Sequence, residues 1–346
     1  MVKAGVINVT SYMGGELVRL LATHPEVQLT SVTGRSAAGK PLGESFPHLA
    51  RMNLCVTEQL DDSVEVVFSA LPHAASAEQC LPFIRRGVPV IDLSADFRLK
   101  DASEYSDWYG VEHPAPESLA CSVYGLTELH RDEIATAKLV GNPGCYPTGA
   151  VLALAPAMAA GLIDPDIIVD GKSGVSGAGR GLGLAYHFGE ANENVSAYAL
   201  DGHRHLPEMT QELARLAEGP RPRITFIPHL IPMNRGILST CYATLRPDAL
   251  AGDAQARLRR VREIYEDFYR DEPFVSVSLT PPQTKQTQGV NTCLVYPTVD
   301  SRTGRLVAVS AIDNLVKGGS GQAVQNMNLM LGFPETMGLS AAAMYP

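Results

Sequence analysis

Short apolar runs alternate with longer amphipathic stretches through the first third of the chain. Strand-like runs lie at 4–9, 27–32, 64–69, 88–92 and 138–140, and helix-like stretches lie at 15–23 and 74–86. Strands that alternate with helices build a parallel sheet covered by helices, so this part predicts an α/β, Rossmann-like doubly wound parallel sheet.

Beyond Gly149 the strand-like segments become longer and no longer alternate regularly with helices. They lie at 167–173, 223–227, 237–246, 275–279, 291–298 and 305–313. This pattern predicts a second, α+β mixed-sheet domain. Between two of these segments Leu258, Val261, Tyr265 and Phe268 recur at helical spacing, which predicts a surface helix.

The composition is that of an ordinary globular protein long enough for two domains. The chain has 346 residues, 45% of them hydrophobic and 19% charged. Its net charge of −9 disfavours nucleic acid and anionic membranes as partners, because phosphate groups are bound by clustered Lys and Arg. The uncharged stretch 141–163 is broken by three prolines, so we expect a loop and a buried helix rather than a membrane span.

The six cysteines are scattered and form no CxxC pair. This usage suggests neither a zinc site nor a disulfide framework, and we expect no metal. The chain passes from Met1 directly into a strand-like run, without the pattern of a secretory leader. Both features favour a reducing cytoplasm.

The turn after the first predicted strand is a candidate cofactor site. A dinucleotide fold requires glycines there, because the backbone approaches a pyrophosphate at a helix N-terminus. Only part of that fingerprint is present, and a plain strand-to-helix turn is the alternative. Asn8 stands where a glycine is expected, and Asn is, after Gly, the residue that best tolerates positive φ. The residues of the turn are Asn8, Thr10, Ser11, Tyr12, Met13 and Gly14.

The segment Thr33-Gly34-Arg35-Ser36 follows the second predicted strand. NAD enzymes place an acidic residue here for the ribose hydroxyls, whereas NADP enzymes place a cation for the 2′-phosphate. Arg35, flanked by Thr33 and Ser36, therefore favours NADPH/NADP, although an exposed loop arginine is the alternative.

Cys145 is the strongest candidate for chemistry. It lies in the turn-rich segment GNPGCYPT at 141–148, at the start of a predicted apolar helix. The positive end of a helix dipole raises the thiolate fraction of a cysteine and makes it a nucleophile.

A cysteine nucleophile needs an acid/base partner, and the segment Gly202-His203-Arg204-His205 supplies two histidines and a cation for an anionic substrate. If the segment is extended, both histidines share one face. We favour His205 for proton transfer and His203 for substrate binding, and a simple polar loop is the alternative.

Two further segments lie where a doubly wound sheet meets its ligand. His73 follows the third long strand and is a candidate neighbour of the cofactor. Ser94 and Arg98 follow the fourth predicted strand and are candidates for holding a phosphate or carboxylate. The alternative is that Arg98 forms a structural ion pair with Asp96.

Five segments together resemble the N-acetyl-gamma-glutamyl-phosphate reductase family, and they span nearly the whole chain. They are GNPGCYPT at 141–148, DLSADFRL at 92–99, GHRHLPE at 202–208, PHLIPMNRGIL at 228–238 and DNLVKGGSGQAVQNMN at 313–328. The resemblance implies an NADP-binding Rossmann domain at 1–145, completed by 313–346, and a catalytic and oligomerisation domain at 146–312. It also implies a homo-oligomer, dimeric or tetrameric.

The resemblance assigns roles to individual residues. Cys145 matches the nucleophile, and the pair His203/His205 matches the acid/base histidine. Residues on the nicotinamide side would be Ser176, Gly177, Asn314 and Lys317, and residues around the acyl phosphate substrate would be Ser94, Arg98, Asn142, His203 and Arg235.

One departure from the family pattern concerns the phosphate loop, where Asn8 and Ser11 replace glycines of the GASGYTG motif. A sister branch reduces carrier-protein-bound aminoadipyl phosphate in lysine biosynthesis and tends to have Asn-Ala after the cysteine. Tyr146-Pro147 therefore favours the arginine branch. A Cys-His acyl hydrolase is an alternative of a different class.

Overall fold

The computed structural model describes residues 1–217 and 219–345, and the chain divides into two units. The first comprises Met1–Gly144 and Gly319–Ala341, and the second comprises Cys145–Gly318 with the tail that begins at Ala342. Each unit is built around its own seven-stranded sheet.

The sheet of the first unit is parallel throughout. Its strands are β1 (Val2–Ile7), β2 (Val27–Thr33), β3 (Val56–Thr57), β4 (Val66–Ser69), β5 (Val90–Asp92), β6 (Val123–Tyr124) and β7 (Leu139–Gly141). They lie in the order β3-β2-β1-β4-β5-β7-β6. All four residues of β4 are buried, as is typical of a strand covered by helices on both faces. The predicted Rossmann-like sheet is thus confirmed.

Seven of the described α-helices belong to this unit. They are α1 (Tyr12–Leu21), α2 (Leu42–Ser45), α3 (Ser76–Arg85), α4 (Ala102–Tyr109), α5 (Pro116–Cys121), α6 (Thr127–Thr136) and, after the second unit, α11 (Gly321–Met330). Ala77 and Cys80 of α3 and Leu119 of α5 pack on Val67 and Val90 of the sheet. The C-terminal helix α11 contacts α1, α6 and β5. The helices α4 to α6 were not predicted from the sequence, because none of them shows a clear apolar stripe.

The second sheet is mixed, as predicted. Its strands are β8 (Ile163–Gly174), β9 (Ser196–Ala197), β10 (Arg223–Ile231), β11 (Ile237–Leu245), β12 (Val275–Val277), β13 (Cys293–Asp300) and β14 (Arg305–Ile312). They lie in the order β12-β13-β14-β11-β8-β10-β9, and among the described strands only the pairs β8–β10 and β12–β13 are parallel.

Helices cover one face of the mixed sheet. They are α7 (Cys145–Ala159), α9 (Leu206–Leu216) and α10 (Ala254–Phe268), while the short α8 (Phe188–Ala191) lies in a long loop. Val261 and Tyr265 of the predicted amphipathic helix are its buried residues. Along β8 the residues facing these helices are buried, and Ile168, Asp170 and Lys172 on the other side are partly or fully exposed. In the part of the chain that the structure describes, the opposite face carries no helix.

The boundary between the units differs from the sequence-based one at the return of the chain. The sequence predicts that the first domain resumes at 313, whereas the structure keeps residues up to Gly318 in the second unit. The reason is local bonding: the Asp313 carboxylate accepts a hydrogen bond from the Gly289 N–H (2.8 Å) and lies 3.4 Å from an Arg235 nitrogen.

The C-terminal tail also differs from the prediction, which assigned it to the first domain. From Ala342 the chain belongs to the second unit, where the Met344 N–H donates to the Gln288 carbonyl over 3.2 Å. Within residues 1–217 and 219–345, no helix has the length and apolarity needed to cross a membrane.

Candidate active site

Cys145 is the first residue of α7, directly after the loop that leaves β7. It is half-buried, and the helix that follows is buried and apolar almost throughout. The thiol therefore lies at the positive end of a 15-residue helix, where the dipole favours the thiolate.

A cavity of about 420 Å³ in the second unit contains the predicted chemistry. It brings together Cys145, His203, Arg204, His205 and Gly177. The remaining lining residues are Tyr146, Ser173, Gly174, Ala178, Ala185, Tyr186, Ser196, Tyr198 and Leu230. A nucleophile, two imidazoles and a cation thus share one concave site of the size that small-molecule ligands occupy.

The two histidines differ in what holds them. Their ring centroids are 4.7 Å apart, and the His205 N–H donates a hydrogen bond to His203 Nδ1 over 3.1 Å. The segment is not extended here, because His205 lies in the turn that leads into α9. The two rings therefore lie close together because of this turn and not because of strand geometry. Burial, reinforced by the charge of Arg204, lowers the pKa of His203 to about 4.

Tyrosines also line this cavity, and none of them was predicted from the sequence as a catalytic or binding residue of the cavity. Tyr146 packs edge-on against both histidine rings and donates a hydrogen bond to the His229 carbonyl over 3.1 Å. The Tyr198 hydroxyl donates to the Tyr146 hydroxyl over 3.3 Å, and burial raises the Tyr198 pKa to about 12. Tyr198 lies in a polar loop without periodicity, so the only available signal was its closeness in sequence to His203.

The predicted nicotinamide-side residues of the second unit lie in three different surroundings. Gly177 lines the cysteine cavity, and the neighbouring Ser176 accepts a hydrogen bond from the Asn314 amide over 2.9 Å. The Lys317 ammonium is buried, 5.7 Å from the centre of the Phe274 ring, and Lys317 does not line the cavity. The assignment of these residues to the nicotinamide side stays a prediction.

A separate cavity of about 320 Å³ lies in the first unit, at the carboxyl ends of β1 and β2. Of the predicted cofactor residues it contains Asn8, Thr33, Arg35 and Ser36. The other lining residues are Ile7, Gly34, Glu58, Leu71, Pro72, Ala75 and Gln79. This edge, beside the N-terminus of α1, is where doubly wound sheets bind dinucleotides.

The turn between β1 and α1 has the geometry of a phosphate-binding turn despite its missing glycines. Asn8 adopts a φ of +62°, which confirms the expectation that it replaces glycine in the left-handed region. Its side-chain amide donates to the Ala70 carbonyl over 2.9 Å. Ser11 caps α1 by accepting from the Gly14 N–H, and a β-carbon on Gly14 would lie 2.5 Å from the Asn8 carbonyl oxygen. The residues present therefore fit a dinucleotide phosphate.

The other predicted residues near this turn do not line the cavity. Thr10 donates a long hydrogen bond to the Asn8 side chain (3.5 Å), while Tyr12 and Met13 form the first turn of α1. The His73 ring lies 5.4 Å from the ring of Tyr109, in an exposed loop at the same edge of the sheet.

Three predicted substrate-binding residues make hydrogen bonds within the first unit. The Ser94 hydroxyl donates to the buried Asp92 carboxylate over 2.6 Å. Arg98 donates through Nε to the Asn142 carbonyl (2.7 Å) and through Nη2 to the Leu93 carbonyl (2.8 Å). Asn142 is fully buried, and its side chain is bonded within the same unit. The polar atoms of Ser94 and Asn142 are therefore bonded within the protein, and the substrate-binding role of all three residues stays a prediction.

Arg235 was also expected near the substrate. It pairs with Asp313 at 3.4 Å and is absent from the lining of the cysteine cavity. Among the described residues, no group of three or more His, Cys, Asp or Glu side chains is arranged to hold a metal ion.

Comparison with known proteins places the two units in known families. A family model described as the semialdehyde dehydrogenase NAD binding domain matches residues 3–137, and one described as the semialdehyde dehydrogenase dimerisation domain matches residues 145–314.

Relatives named N-acetyl-gamma-glutamyl-phosphate reductase match almost end to end. The protein of Dehalococcoides mccartyi is 54% identical over 344 residues, covering 99% of each chain. That of Pelotomaculum thermopropionicum is 52% identical, covering 100% of this chain and 99% of its own. The chain belongs to the N-acetyl-gamma-glutamyl-phosphate reductase family. The resemblance drawn from the five sequence segments is therefore confirmed.

Solved structures show that this reductase family shares its fold with aspartate semialdehyde dehydrogenases. Aspartate semialdehyde dehydrogenase II of Vibrio cholerae, complexed with ASA, superposes with a TM-score of 0.69 at 15% identity, covering 96% of this chain and 98% of its own. The enzyme of Candida albicans with NADP gives 0.64 at 16% identity, covering 96% and 99%. Both confirm the combination of a Rossmann-like and a mixed-sheet domain.

Proposed function

We propose that this chain reduces N-acetyl-L-glutamyl 5-phosphate with NADPH to N-acetyl-L-glutamate 5-semialdehyde and phosphate, in arginine biosynthesis. The observation that carries the proposal is the cavity that joins Cys145, at a helix start, to His203 and His205, within a chain of the reductase family. Identities of 48–54% to proteins with this reductase name disfavour both the lysine-branch reductase and the Cys-His hydrolase.

Cys145 supplies the covalent step. Its thiolate attacks the acyl carbon and forms a C–S bond, and the bond from that carbon to the phosphate oxygen breaks as phosphate leaves with the electron pair. The product is a thioester on Cys145. Cys145 is the first residue of α7, and the backbone N–H groups of that first turn are natural donors to the oxyanion.

The second step regenerates the thiolate. NADPH, when bound, supplies the hydride that reduces the thioester carbon. His205 gives its proton to the oxygen of the resulting thiohemiacetal and takes it back as the C–S bond breaks and the aldehyde forms. One proton is consumed overall, and it ends on the phosphate.

His203 and Arg204 serve to bind the substrate. A histidine with a pKa of about 4 is neutral at working pH, so His203 donates a hydrogen bond rather than a proton. The Arg204 side chain lines the same cavity and supplies positive charge for the phosphate or carboxylate.

The cavity at the ends of β1 and β2 would hold NADPH. Asn8, Ser11 and Gly14 shape the turn for the pyrophosphate, and Arg35 with Ser36 would contact the 2′-phosphate.

We also propose that the protein is a homo-oligomer built on the open face of the mixed sheet. Thr240, Val309 and Tyr296 lie side by side in the centre of that face, and the matching family model is a dimerisation domain. A long loop beside the edge strand β9 exposes Leu184 and Phe188, each more than three-quarters accessible. Apolar exposure of this extent is typical of protein–protein interfaces. A face-to-face pairing of two sheets would give a dimer, and tetramers would need a further contact through the loop.

All six cysteines are free thiols, and we place the enzyme in the reducing cytoplasm on that basis.

The decisive experiment is an absorbance assay at the nicotinamide band, run in reverse with N-acetyl-glutamate semialdehyde, phosphate and NADP. We expect NADPH to form only when both aldehyde and phosphate are present. Hydrolysis of the acyl phosphate without NADPH consumption would favour the hydrolase instead, and activity restricted to carrier-bound aminoadipate semialdehyde would favour the lysine branch.

A further inference from the structure

Asn326 lies in the middle of the C-terminal helix α11 and is fully buried. Its amide nitrogen donates to the Gly125 carbonyl (2.8 Å) and to Asn142 Oδ1 (3.1 Å). Its amide oxygen accepts from the Thr127 hydroxyl (2.8 Å) and, more weakly, from the Gln322 amide (3.4 Å). A buried amide that is fully bonded is held in a single orientation.

Asn142, the partner of Asn326, lies three residues before the nucleophile. Its amide nitrogen donates to the Gly319 carbonyl over 3.1 Å. Its backbone is held as well, because the N–H donates to the Asp92 carbonyl (2.8 Å) and the carbonyl accepts from Arg98 Nε (2.7 Å). The loop that leads into Cys145 is thus held at Asn142 by hydrogen bonds from both the side chain and the backbone of that residue.

Asn142 also joins the two places where the chain passes between the units. The chain leaves the first unit after Gly144 and returns to it at Gly319, so the bond from Asn142 to Gly319 ties the two passing segments together on that side. Within the second unit, a β-carbon on Gly318 would lie 2.9 Å from Cys145 Cβ, so the same two segments are in close contact there. Asn142 is three residues from Cys145 along the chain, and it is hydrogen-bonded to Gly319, the residue after Gly318. A displacement of Asn142 would therefore be transmitted through the backbone to both Cys145 and Gly318.

We propose that Asn326 is a positioning residue for Cys145, acting through Asn142 on the loop that presents the thiol at the start of α7. The role is one of orientation, because no atom of Asn326 needs to touch the substrate. Reactions of this kind are sensitive to placement, and a misplacement of about 1 Å can cost roughly 10²-fold in rate.

A matched control lies two residues further along the same helix. Asn328 is also fully buried, and its amide donates to the Glu335 and Met337 carbonyls (3.0 and 2.9 Å) and is bonded to His24 (2.9 Å). None of these partners belongs to the loop before Cys145. Substitution of Asn328 thus tests the loss of a buried amide from α11 without loss of the contact to Asn142.

The test compares Asn326→Leu and Asn326→Asp with Asn328→Leu. The rate of Cys145 alkylation by iodoacetamide is followed by peptide mass spectrometry between pH 6 and 9, together with kcat, the KM for NADPH and urea unfolding. Peptide resolution is needed because Cys55 and Cys121 are also exposed. Asp keeps the size of the side chain but loses the donor to Asn142, so it serves if the leucine variant does not fold.

We expect both Asn326 variants to lower kcat and to change the Cys145 alkylation rate by about 10-fold or more, with the KM for NADPH within about 2-fold. Asn328→Leu should lower the free energy of unfolding comparably and leave alkylation within about 2-fold. Equal effects of the Asn326 and Asn328 variants on alkylation would overturn the proposal. Because alkylation needs no substrate, a failure of the proposed reductase activity would be seen separately, in the wild type.

Discussion

The backbone N–H of His205 donates a hydrogen bond to Nδ1 of His203, over 3.1 Å. Because Nδ1 is the acceptor, the proton of the neutral His203 ring is on Nε2. Burial and the neighbouring Arg204 lower the pKa of His203 to about 4, so that ring stays neutral above about pH 5. The bond thus leaves the Nε2–H of His203 as the ring's hydrogen-bond donor, which agrees with the proposal that His205 transfers the proton.

The first prediction tests this division of roles. His205→Asn should slow the reductive and phosphorolytic directions alike by roughly 10²–10⁴, the range for one positioned proton donor. His203→Asn should mainly raise the KM of the acyl phosphate, because a hydrogen bond held equally in ground and transition states is uniform binding. In pH–rate profiles, only His205→Asn should delete the histidine limb. Loss of that limb in His203→Asn alone would mean that the two roles are exchanged.

The second prediction concerns the nucleophile. Cys145→Ser and Cys145→Ala should lower turnover by roughly 10³ or more, because the thioester can no longer form. NADPH binding, measured by fluorescence titration, should stay unchanged, since the predicted cofactor cavity lies in the other unit. Cys241→Ala is the control, because its thiol is buried and burial raises its pKa to about 12. More than a tenth of wild-type activity in either Cys145 variant would refute the covalent mechanism.

The third prediction concerns cofactor preference. Arg35 is exposed at the rim of the cavity beside β2, where its guanidinium can bind the 2′-phosphate. Arg35→Ala should raise the KM for NADPH by roughly 10–100-fold, the loss of one charge-assisted contact, and change the KM for NADH little. Arg51→Ala, an exposed arginine outside the cavity, should affect neither. Equal effects of Arg35→Ala on both cofactors would show that Arg35 does not bind the phosphate.

The fourth prediction follows from the contact between Gly318 and Cys145. A β-carbon at Gly318 would lie 2.9 Å from Cys145 Cβ and 3.2 Å from its Cα, so Gly318→Ala requires a shift at the start of α7 or in the segment of Gly318. We expect kcat to fall about 10²-fold, with NADPH binding retained. Gly181→Ala is the control, because a β-carbon there meets nothing within 4 Å. Wild-type kcat in Gly318→Ala would show that the surrounding structure absorbs the added methyl group.

The fifth prediction concerns pH and stability. Burial, and then the charge of Asp96, raise the pKa of Asp92 to about 6 in the folded protein. Between about pH 4 and 6 the native state keeps a proton that the unfolded chain has released, so this residue stabilises the fold at low pH and loses that contribution as the pH rises.

The measurement compares urea unfolding of the wild type and Asp92→Asn from pH 4 to 7.5. Across the window from 4 to 6 the free energy of unfolding of the variant should rise relative to wild type, by at most about 3 kcal/mol, and the difference should be constant above it. A difference that does not vary with pH would mean that Asp92 titrates normally.

Much of the fold was determined by local pattern. In β4 four consecutive residues are buried, and similar short apolar runs lie before and after it in the chain. Such runs are typical of strands covered by helices on both faces, so the parallel sheet could be predicted from the sequence. The position of Cys145 at a helix start could be predicted in the same way, because the glycines and prolines around it interrupt the preceding strand and a long apolar helix begins directly. Asn8 could be placed at positive φ because few other side chains tolerate it.

Only the tertiary structure decided which groups each polar residue is bonded to and how far it is buried. Ser94 and Asn142 have side chains of the kind found in binding sites. Asn142 is bonded to Gly319 and Asn326, which are distant in sequence, and Ser94 is bonded to the nearby Asp92; the periodicity of the sequence indicates neither set of bonds. The different roles proposed for His203 and His205 likewise rest on burial and on one backbone hydrogen bond in a turn. Sequence specifies the chemistry a residue can perform, whereas the packing of distant segments decides its solvation and its partners, and these set whether it reacts, binds or supports.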